Sequence, residues 1–199
     1  HVGSNNPDGI EIKKNKDADG IPKDGIPFHP YFTIKDSVVV VGFLWIFCAV
    51  VFYAPALNGY FLEAPNFIEA NPLKTPEHIA PLWYLTPYYS VLRAIPPLFG
   101  SQFPGVLAMF AALGVFFLLP WLDRSPVKSI RYRSPIYKWI LGTFVISFIV
   151  LGWLGVQPVT PLYALLARIF TTLYFAFFIL MPWFSTLGKT KEVPERVTE

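Results

Sequence analysis

The chain has 199 residues, of which 54% are hydrophobic and 18% are aromatic, while only 15% are charged. This composition is too apolar for an ordinary soluble domain. The net charge of +3 comes from basic residues that flank apolar runs, so it does not indicate a nucleic-acid partner. We therefore expect an all-α integral membrane protein.

Four runs without a charged residue are each long enough for a spanning helix, which needs about 20 apolar residues. The predicted transmembrane helices lie, in chain order, at residues 37–53, 104–122, 137–156 and 161–184. Proline is tolerated in the first turn of a helix and interrupts its interior. Prolines accordingly lie at or just beyond the predicted helix ends, at Pro55, Pro104, Pro158 and Pro161.

Basic residues in short flanks stay on the inner side of a membrane, and this rule orients the predicted helices. Residues 1–36 and 189–199 contain several lysines and arginines, as does the connection after the second helix. They are predicted to be an inner loop and an inner tail on either side of a four-helix domain at 37–188. Residues 54–103 contain only two basic residues and are predicted to form a long outer loop. Because residue 1 is not methionine and opens a polar turn, we expect the chain to continue a longer polypeptide.

The outer loop contains the densest group of prolines and aromatic residues in the chain, between Thr75 and Arg93. Residues 78–95 are compatible with a short amphipathic helix on the membrane surface. Rigid prolines and aromatic walls suit a pocket for a flat, apolar ligand that carries protons. Alternatively, the tyrosines of this segment form an aromatic belt at the membrane–water interface.

Four motifs occur in an order that resembles the carboxy-terminal half of cytochrome b, the quinol-oxidising subunit of the respiratory cytochrome bc complex (complex III). They are the turn Gly3–Pro7, the aromatic lead Phe28–Asp36 into a Lys-Asp pair, the segment Pro81–Tyr84 and the triplet Trp121–Asp123. The resemblance covers nearly the whole chain. The fourth helix makes the chain more similar to the respiratory subunit than to the shorter, three-helix photosynthetic one.

The resemblance implies a part of ubiquinol–cytochrome c oxidoreductase that is not catalytic alone and that contributes to proton-coupled electron transfer. It implies ubiquinol and ubiquinone as ligands and two b-type haems in the complete subunit, with axial ligands outside this chain and no metal ligand within it. Implied partners are the amino-terminal half of cytochrome b, a Rieske iron-sulfur protein and a cytochrome c1-type subunit, in a dimeric complex. The implied location is the bacterial cytoplasmic or the mitochondrial inner membrane, with both termini on the inner side. A non-redox membrane scaffold or a transporter subunit is the alternative.

The resemblance places an outer quinol-oxidation site in the aromatic loop segment. Its residues are Pro81, Leu82, Trp83, Tyr84, Leu85 and Tyr89. Leu82 stands where the family has a glutamate commonly assigned to quinol binding and proton release. A leucine cannot accept a proton, so this role is absent or relocated to water and nearby polar groups, and the candidate acids are Glu77 in this chain or a carboxylate outside it.

The resemblance places an inner quinone-reduction site at Ser4, Phe28, Lys35 and Asp36. An ammonium and a carboxylate can hydrogen-bond a quinone carbonyl and supply protons during reduction. Alternatively, Lys35 and Asp36 are anchors at the inner interface. His29 and His78 are interpreted as structural hydrogen-bonding residues, and Arg168 as facing protein, a buried partner or the interface.

Overall fold

The computed structural model describes residues 6–57, 62, 64–74 and 79–197. Its α-helices are α1 Tyr31–Tyr53, α2 Thr86–Ala94, α3 Phe103–Gly114, α4 Leu119–Leu122, α5 Pro135–Gly155 and α6 Pro161–Phe184. Short 3₁₀ turns lie at Ile12–Lys14, Ala64–Phe67, Trp83–Leu85 and Val115–Leu118. Outside these elements, the described residues form two isolated β-bridges and no named strand.

Four helical segments are long and apolar enough to cross a membrane: Tyr31–Tyr53, Phe103–Leu122, Pro135–Gly155 and Pro161–Phe184. The predicted all-α membrane architecture with four spans is therefore confirmed. It follows from the charge-free runs, because an apolar segment in lipid satisfies its backbone hydrogen bonds only within a helix or a closed barrel.

The first two spans differ in detail from the prediction. Helix α1 begins at Tyr31 instead of residue 37, because backbone hydrogen bonds continue through Lys35 and Asp36 whether or not the side chains are charged. The second span contains a 3₁₀ turn at Val115–Leu118 before α4. Pro120 lies in the first turn of α4 and lacks the N–H that would continue the preceding α-helix.

The chain divides into two compact units, one of residues 14–77 and one that combines residues 1–13 with 78–199. The smaller unit contains α1, in which no residue is buried. A helix that is apolar on all sides is typical of a membrane span.

The core of the larger unit is formed mainly by aromatic side chains of α5 and α6. Its buried members are Val91, Ala112, Tyr137, Leu151, Tyr174, Phe177, Phe178, Met181 and Phe184. The ring of Phe144 lies 4.3 Å from that of Phe177 and 5.3 Å from that of Phe178, between centroids. The Tyr174 hydroxyl donates to the Ala112 carbonyl at 2.8 Å and so joins α6 to α3.

Helix α2 packs against α3, α5 and α6. The predicted short helix in residues 78–95 thus begins only at Thr86, and its inner face is buried against other helices instead of lying only on a membrane surface. Two glycines allow the approach. A Cβ on Gly155 would overlap the Thr86 carbonyl oxygen, and one on Gly105 would lie 2.5 Å from the Leu92 oxygen.

At the opposite end of α5, residues 6–11 are attached to residues 123–134, and we call these two segments the clasp. Asp8 is 1% exposed and accepts hydrogen bonds from the Tyr132 hydroxyl at 2.5 Å and the Arg131 guanidinium at 3.4 Å. Three further contacts are Ser129 Oγ to the Pro7 oxygen at 2.5 Å, Lys128 to Glu11 at 2.6 Å and Arg133 to Asp123 at 2.7 Å. The clasp therefore holds Pro7, the last residue of the Gly3–Pro7 motif, and the residues that directly follow it.

Candidate functional site

The segment before α2 has a well-defined backbone. Leu82 is extended, with φ −53° and ψ 145°, and its carbonyl accepts the Leu85 N–H at 2.8 Å across a 3₁₀ turn. The Thr86 hydroxyl donates to the Trp83 carbonyl at 2.7 Å. Since Thr86 is itself buried against α5, these bonds fix the turn to the helix bundle.

The side chains of this turn are exposed although they are large and apolar. Trp83 is 82% exposed, Leu82 56% and Tyr84 51%, while Pro81 is half-buried. The rings of Trp83 and Tyr84 meet edge to face at 5.6 Å between centroids. A rigid backbone therefore presents an exposed aromatic surface, and further protein is required to close a dry pocket around it.

Tyr89 lies further along α2, where it is half-buried against Arg93. The Arg93 guanidinium carbon lies 5.5 Å from the centre of the Tyr89 ring, and its nitrogens donate to the Gly155 carbonyl at 3.3 Å and the Gln157 carbonyl at 3.0 Å. Arg93 thus orients the Tyr89 ring, and it also donates hydrogen bonds to carbonyl groups at the end of α5. Arg93 was not among the predicted site residues, because nothing local to it reveals carbonyl partners more than 60 positions away.

The neighbouring tyrosine faces the core instead. The Tyr88 ring meets the Phe148 ring at 5.8 Å, and burial raises the pKa of the Tyr88 phenol above its ordinary value. Pro81, Leu82, Trp83, Tyr84 and Leu85 remain together on one turn. The candidate acid Glu77 lies outside the described residues, and residues 79–95 contain no acidic side chain.

At the inner candidate site, Phe28, which precedes α1, lies next to Phe32 at the start of α1, and Lys35 of the same helix follows. The Phe28 and Phe32 rings stack at 6.0 Å, and the Lys35 ammonium lies 5.7 Å from the Phe32 ring centre. Phe32 was not among the predicted site residues, although its spacing of three from Lys35 puts the two on one helical face once the helix begins at Tyr31.

The other two predicted inner residues are not brought into this group. Asp36 follows Lys35 on α1, so the two exposed side chains project in different directions instead of facing each other. Ser4 lies outside the described residues.

The described residues do not fit a histidine-ligated haem or another metal centre. His29 lies at the start of α1 with Nδ1 3.3 Å from the Thr33 hydroxyl, which agrees with its interpretation as a structural residue. His1 and His78 lie outside the described residues. Within the described part of the chain, no three histidine, cysteine, aspartate or glutamate residues are grouped to hold a metal ion.

These features define an integral membrane protein with four spanning helices and a rigid, exposed aromatic turn on a helix embedded at one end of its bundle. The family model described as cytochrome b (C-terminal)/b6/petD matches residues 69–175. The chain belongs to this cytochrome b family, as its motifs predicted.

The similarity to curated relatives extends over the whole chain. It is 63% identical over 202 residues to cytochrome b of Allochromatium vinosum, covering 100% of this chain and 49% of the relative. It is 43% identical to cytochrome b of Rickettsia bellii, covering 98% of this chain and 45% of that relative. The chain thus spans about half the length of these relatives, and its match to the C-terminal family model corresponds to their carboxy-terminal half.

A solved structure described as hyperthermophilic respiratory complex III has the same fold. It is 46% identical, with a TM-score of 0.75, and the match covers 92% of this chain and 43% of that one. The four-helix architecture is therefore similar to that of a subunit in a respiratory membrane complex.

Proposed function

We propose that this chain forms the carboxy-terminal part of cytochrome b in a ubiquinol–cytochrome c oxidoreductase. It contributes an outer wall to a quinol-oxidation site and inner residues to a quinone-reduction site. Family membership and the similarity to a respiratory complex III structure support this function. The rival class, a transporter or scaffold subunit, has no specific observation in its favour.

One observation carries the outer site: Leu82, Trp83 and Tyr84 are exposed on a turn whose backbone is fixed to the helix bundle. Exposed large aromatic residues on a rigid support are typical of a binding surface. The remaining walls would come from the amino-terminal half of cytochrome b and the Rieske protein, with a cytochrome c1-type subunit in the same dimeric complex.

The chemistry at this site requires a proton route. Quinol releases protons as it loses electrons, and the Tyr84 hydroxyl can donate to or accept from a quinol oxygen. Leu82 preserves the apolar wall but cannot accept a proton. We assign the proton route to water near the turn, with Glu77 as the acid in this chain.

At the inner site, Lys35 and Asp36 hydrogen-bond the quinone and supply protons, and the Phe28 and Phe32 rings provide an apolar wall beside Lys35. Ser4 is a further contact. When bound in the complete subunit, the b-type haems would supply the electron-transfer chemistry between the two sites, and their axial ligands would lie outside this chain. The positive flanks support an inner location for both termini, in a bacterial cytoplasmic or mitochondrial inner membrane.

The outer assignment is tested in the purified assembly that contains the upstream half of the subunit. Trp83→Ala and Tyr84→Ala are expected to lower quinol-dependent cytochrome c reduction by about tenfold each, equivalent to about 1.4 kcal/mol of transition-state stabilisation. Trp139→Ala, an equally exposed aromatic on α5, is the matched control and should retain activity. An assembly without a reducible b-type haem spectrum and without quinol-dependent activity would favour the scaffold alternative.

The proton route is tested by the pH profile of turnover. Leu82→Glu is expected to shift the profile, and Glu77→Gln to slow turnover at neutral pH. If neither variant changes turnover or its pH dependence, the proton route does not pass through either position.

The inner site is tested with Asp36→Asn in the same assembly. Quinone-dependent oxidation of the reduced haem through the inner site should slow, whereas outer-site quinol oxidation should not. An unchanged rate of haem oxidation by quinone would remove Asp36 from the site.

A further inference from the structure

Arg168 places a guanidinium two turns into a membrane-spanning helix. It lies about 10 Å along α6 from Pro161 at 1.5 Å per residue. Its Nε donates to the carbonyl of Ala94, the last residue of α2, at 3.1 Å. Among the described residues, no carboxylate forms an ion pair with it. An arginine has five N–H donors, so this one hydrogen bond leaves a charged group with unused donors at membrane depth.

An apolar groove of about 560 Å³ lies directly beside this guanidinium. Its lining residues on α6 run from Arg168 to Leu180, about 18 Å along the helix axis. Ile95, Phe175 and Ile179 supply much of the remaining apolar surface, and no acidic residue lines it. The groove thus has one positive end and one long hydrocarbon-like end.

Thr171 also lines the groove, but its hydroxyl is enclosed by protein and has no hydrogen-bond partner among the described residues. The polar recognition of a ligand in this groove therefore depends on Arg168.

We infer that this groove binds an anionic phospholipid from the leaflet on the α2 side of the membrane. The lipid phosphate binds the free guanidinium nitrogens of Arg168, and an acyl chain follows α6 toward Ile179 and Leu180. Arginine binds phosphate strongly through paired N–H donors, and a charge in this setting is stable only with such a partner. A lipid without a phosphate, or an apolar helix, would leave the guanidinium without a charged partner, and in a zwitterionic lipid such as phosphatidylcholine the choline ammonium offsets the charge of the phosphate.

The consequence of this binding concerns α2 as well as the lipid. Because Nε of the same guanidinium holds the Ala94 carbonyl, the lipid phosphate would fix the Arg168 side chain that satisfies the end of α2. The inference rests on the larger unit alone and does not depend on either quinone site.

Photo-crosslinking of the intact assembly in lipid nanodiscs tests the site. Phosphatidylglycerol and phosphatidylcholine, each with a diazirine on the acyl chain, are supplied at equal mole fraction, and labelled peptides are mapped by mass spectrometry. We expect several-fold more phosphatidylglycerol than phosphatidylcholine labelling of residues 171–180. Arg168→Lys should retain this preference, and Arg168→Gln should abolish it while still donating to Ala94.

A second groove supplies an internal control, since Ile140 and Thr143 on α5 line an apolar depression that no charged residue lines. Labelling there should show no preference for either lipid. If Arg168→Gln fails to assemble, Ile179→Trp, which fills the groove and keeps the charge, should abolish the preference instead.

Three outcomes would overturn the inference. Equal labelling of residues 171–180 by both lipids would indicate ordinary annular lipid. Absence of labelling by either lipid would indicate that protein covers the groove. A preference that persists in Arg168→Gln would show that the guanidinium does not select the lipid.

Discussion

The two ends of the larger unit are held together by different interactions. At the α2 end, cationic and amide side chains donate to neutral backbone carbonyls: Arg93 to the end of α5, and Arg168 and Gln102 to the end of α2. At the clasp, cations meet carboxylates, as in the pairs Arg131–Asp8, Lys128–Glu11 and Arg133–Asp123.

The difference shows how one bundle can hold a rigid turn at one end and an attached segment at the other. Carbonyl caps need no titratable partner, and the close glycine contacts of α2 leave little freedom for the turn that precedes it. Exposed ion pairs contribute little individually and are screened by salt. The clasp therefore depends mainly on Asp8, the buried carboxylate among these ion pairs.

The largest expected effect is at the glycine contact of the α2 end. Gly155→Val places a side chain against the Thr86 backbone, which cannot move without displacing α2, so we expect a loss of about 3 kcal/mol of stability. Thermal unfolding of the purified assembly measures it. A Cβ on Gly142 of the same helix meets nothing within 4 Å, so Gly142→Ala should not destabilise. Equal unfolding temperatures for the two variants would contradict the close approach of α2.

The next effect is at the buried carboxylate of the clasp. Asp8→Asn keeps the shape but removes the charge that Arg131 and Tyr132 contact, at an expected cost of about 2 kcal/mol. Hydrogen exchange of residues 6–13 should accelerate while that of α2 stays unchanged. Glu11→Gln, in a more exposed pair, is the control and should have a much smaller effect. Comparable acceleration in both variants would show that the buried Asp8 stabilises the clasp no more than the more exposed Glu11 does.

Salt should distinguish the two ends without any mutation. Raising the ionic strength from about 0.1 M to about 1 M shortens the Debye length from about 10 Å to about 3 Å and weakens exposed ion pairs. Hydrogen exchange of residues 6–11 should accelerate modestly, and that of residues 86–94 should not. A larger response in α2 than in the clasp would reverse the comparison.

The smallest expected effect is a loss of folding stability at alkaline pH, and it arises at the α2 end. Because burial raises the pKa of Tyr88, its neutral form is favoured in the folded chain. This contribution to the folding free energy is fully present below the pKa of about 10 that tyrosine has in the unfolded chain. It is lost as the pH rises through the raised pKa of Tyr88 in the folded chain. Tyr88→Phe should flatten this alkaline dependence of unfolding, and an unchanged dependence would assign it to another group.

Several local features of the fold were predictable from particular residues. Charge-free runs located four helices, and Pro161 marked the start of α6 correctly. The charges of Lys35 and Asp36 predict that α1 begins at residue 37, but a helix backbone tolerates charged side chains and α1 begins at Tyr31. The exposed turn at Trp83 and Tyr84 was located by its prolines and aromatics, but its exposure depends on which face of α2 is buried.

The sequence by itself determined the membrane class, the four spans, the family and the position of the aromatic segment, because hydropathy and motifs are properties of neighbouring residues. Only the tertiary structure decided that α2 is embedded, that Asp8 meets an arginine 123 positions away and that Arg168 reaches the end of α2. These contacts depend on how distant helices pack. A side chain's hydrogen-bond partner in such packing cannot be read from its neighbours along the chain.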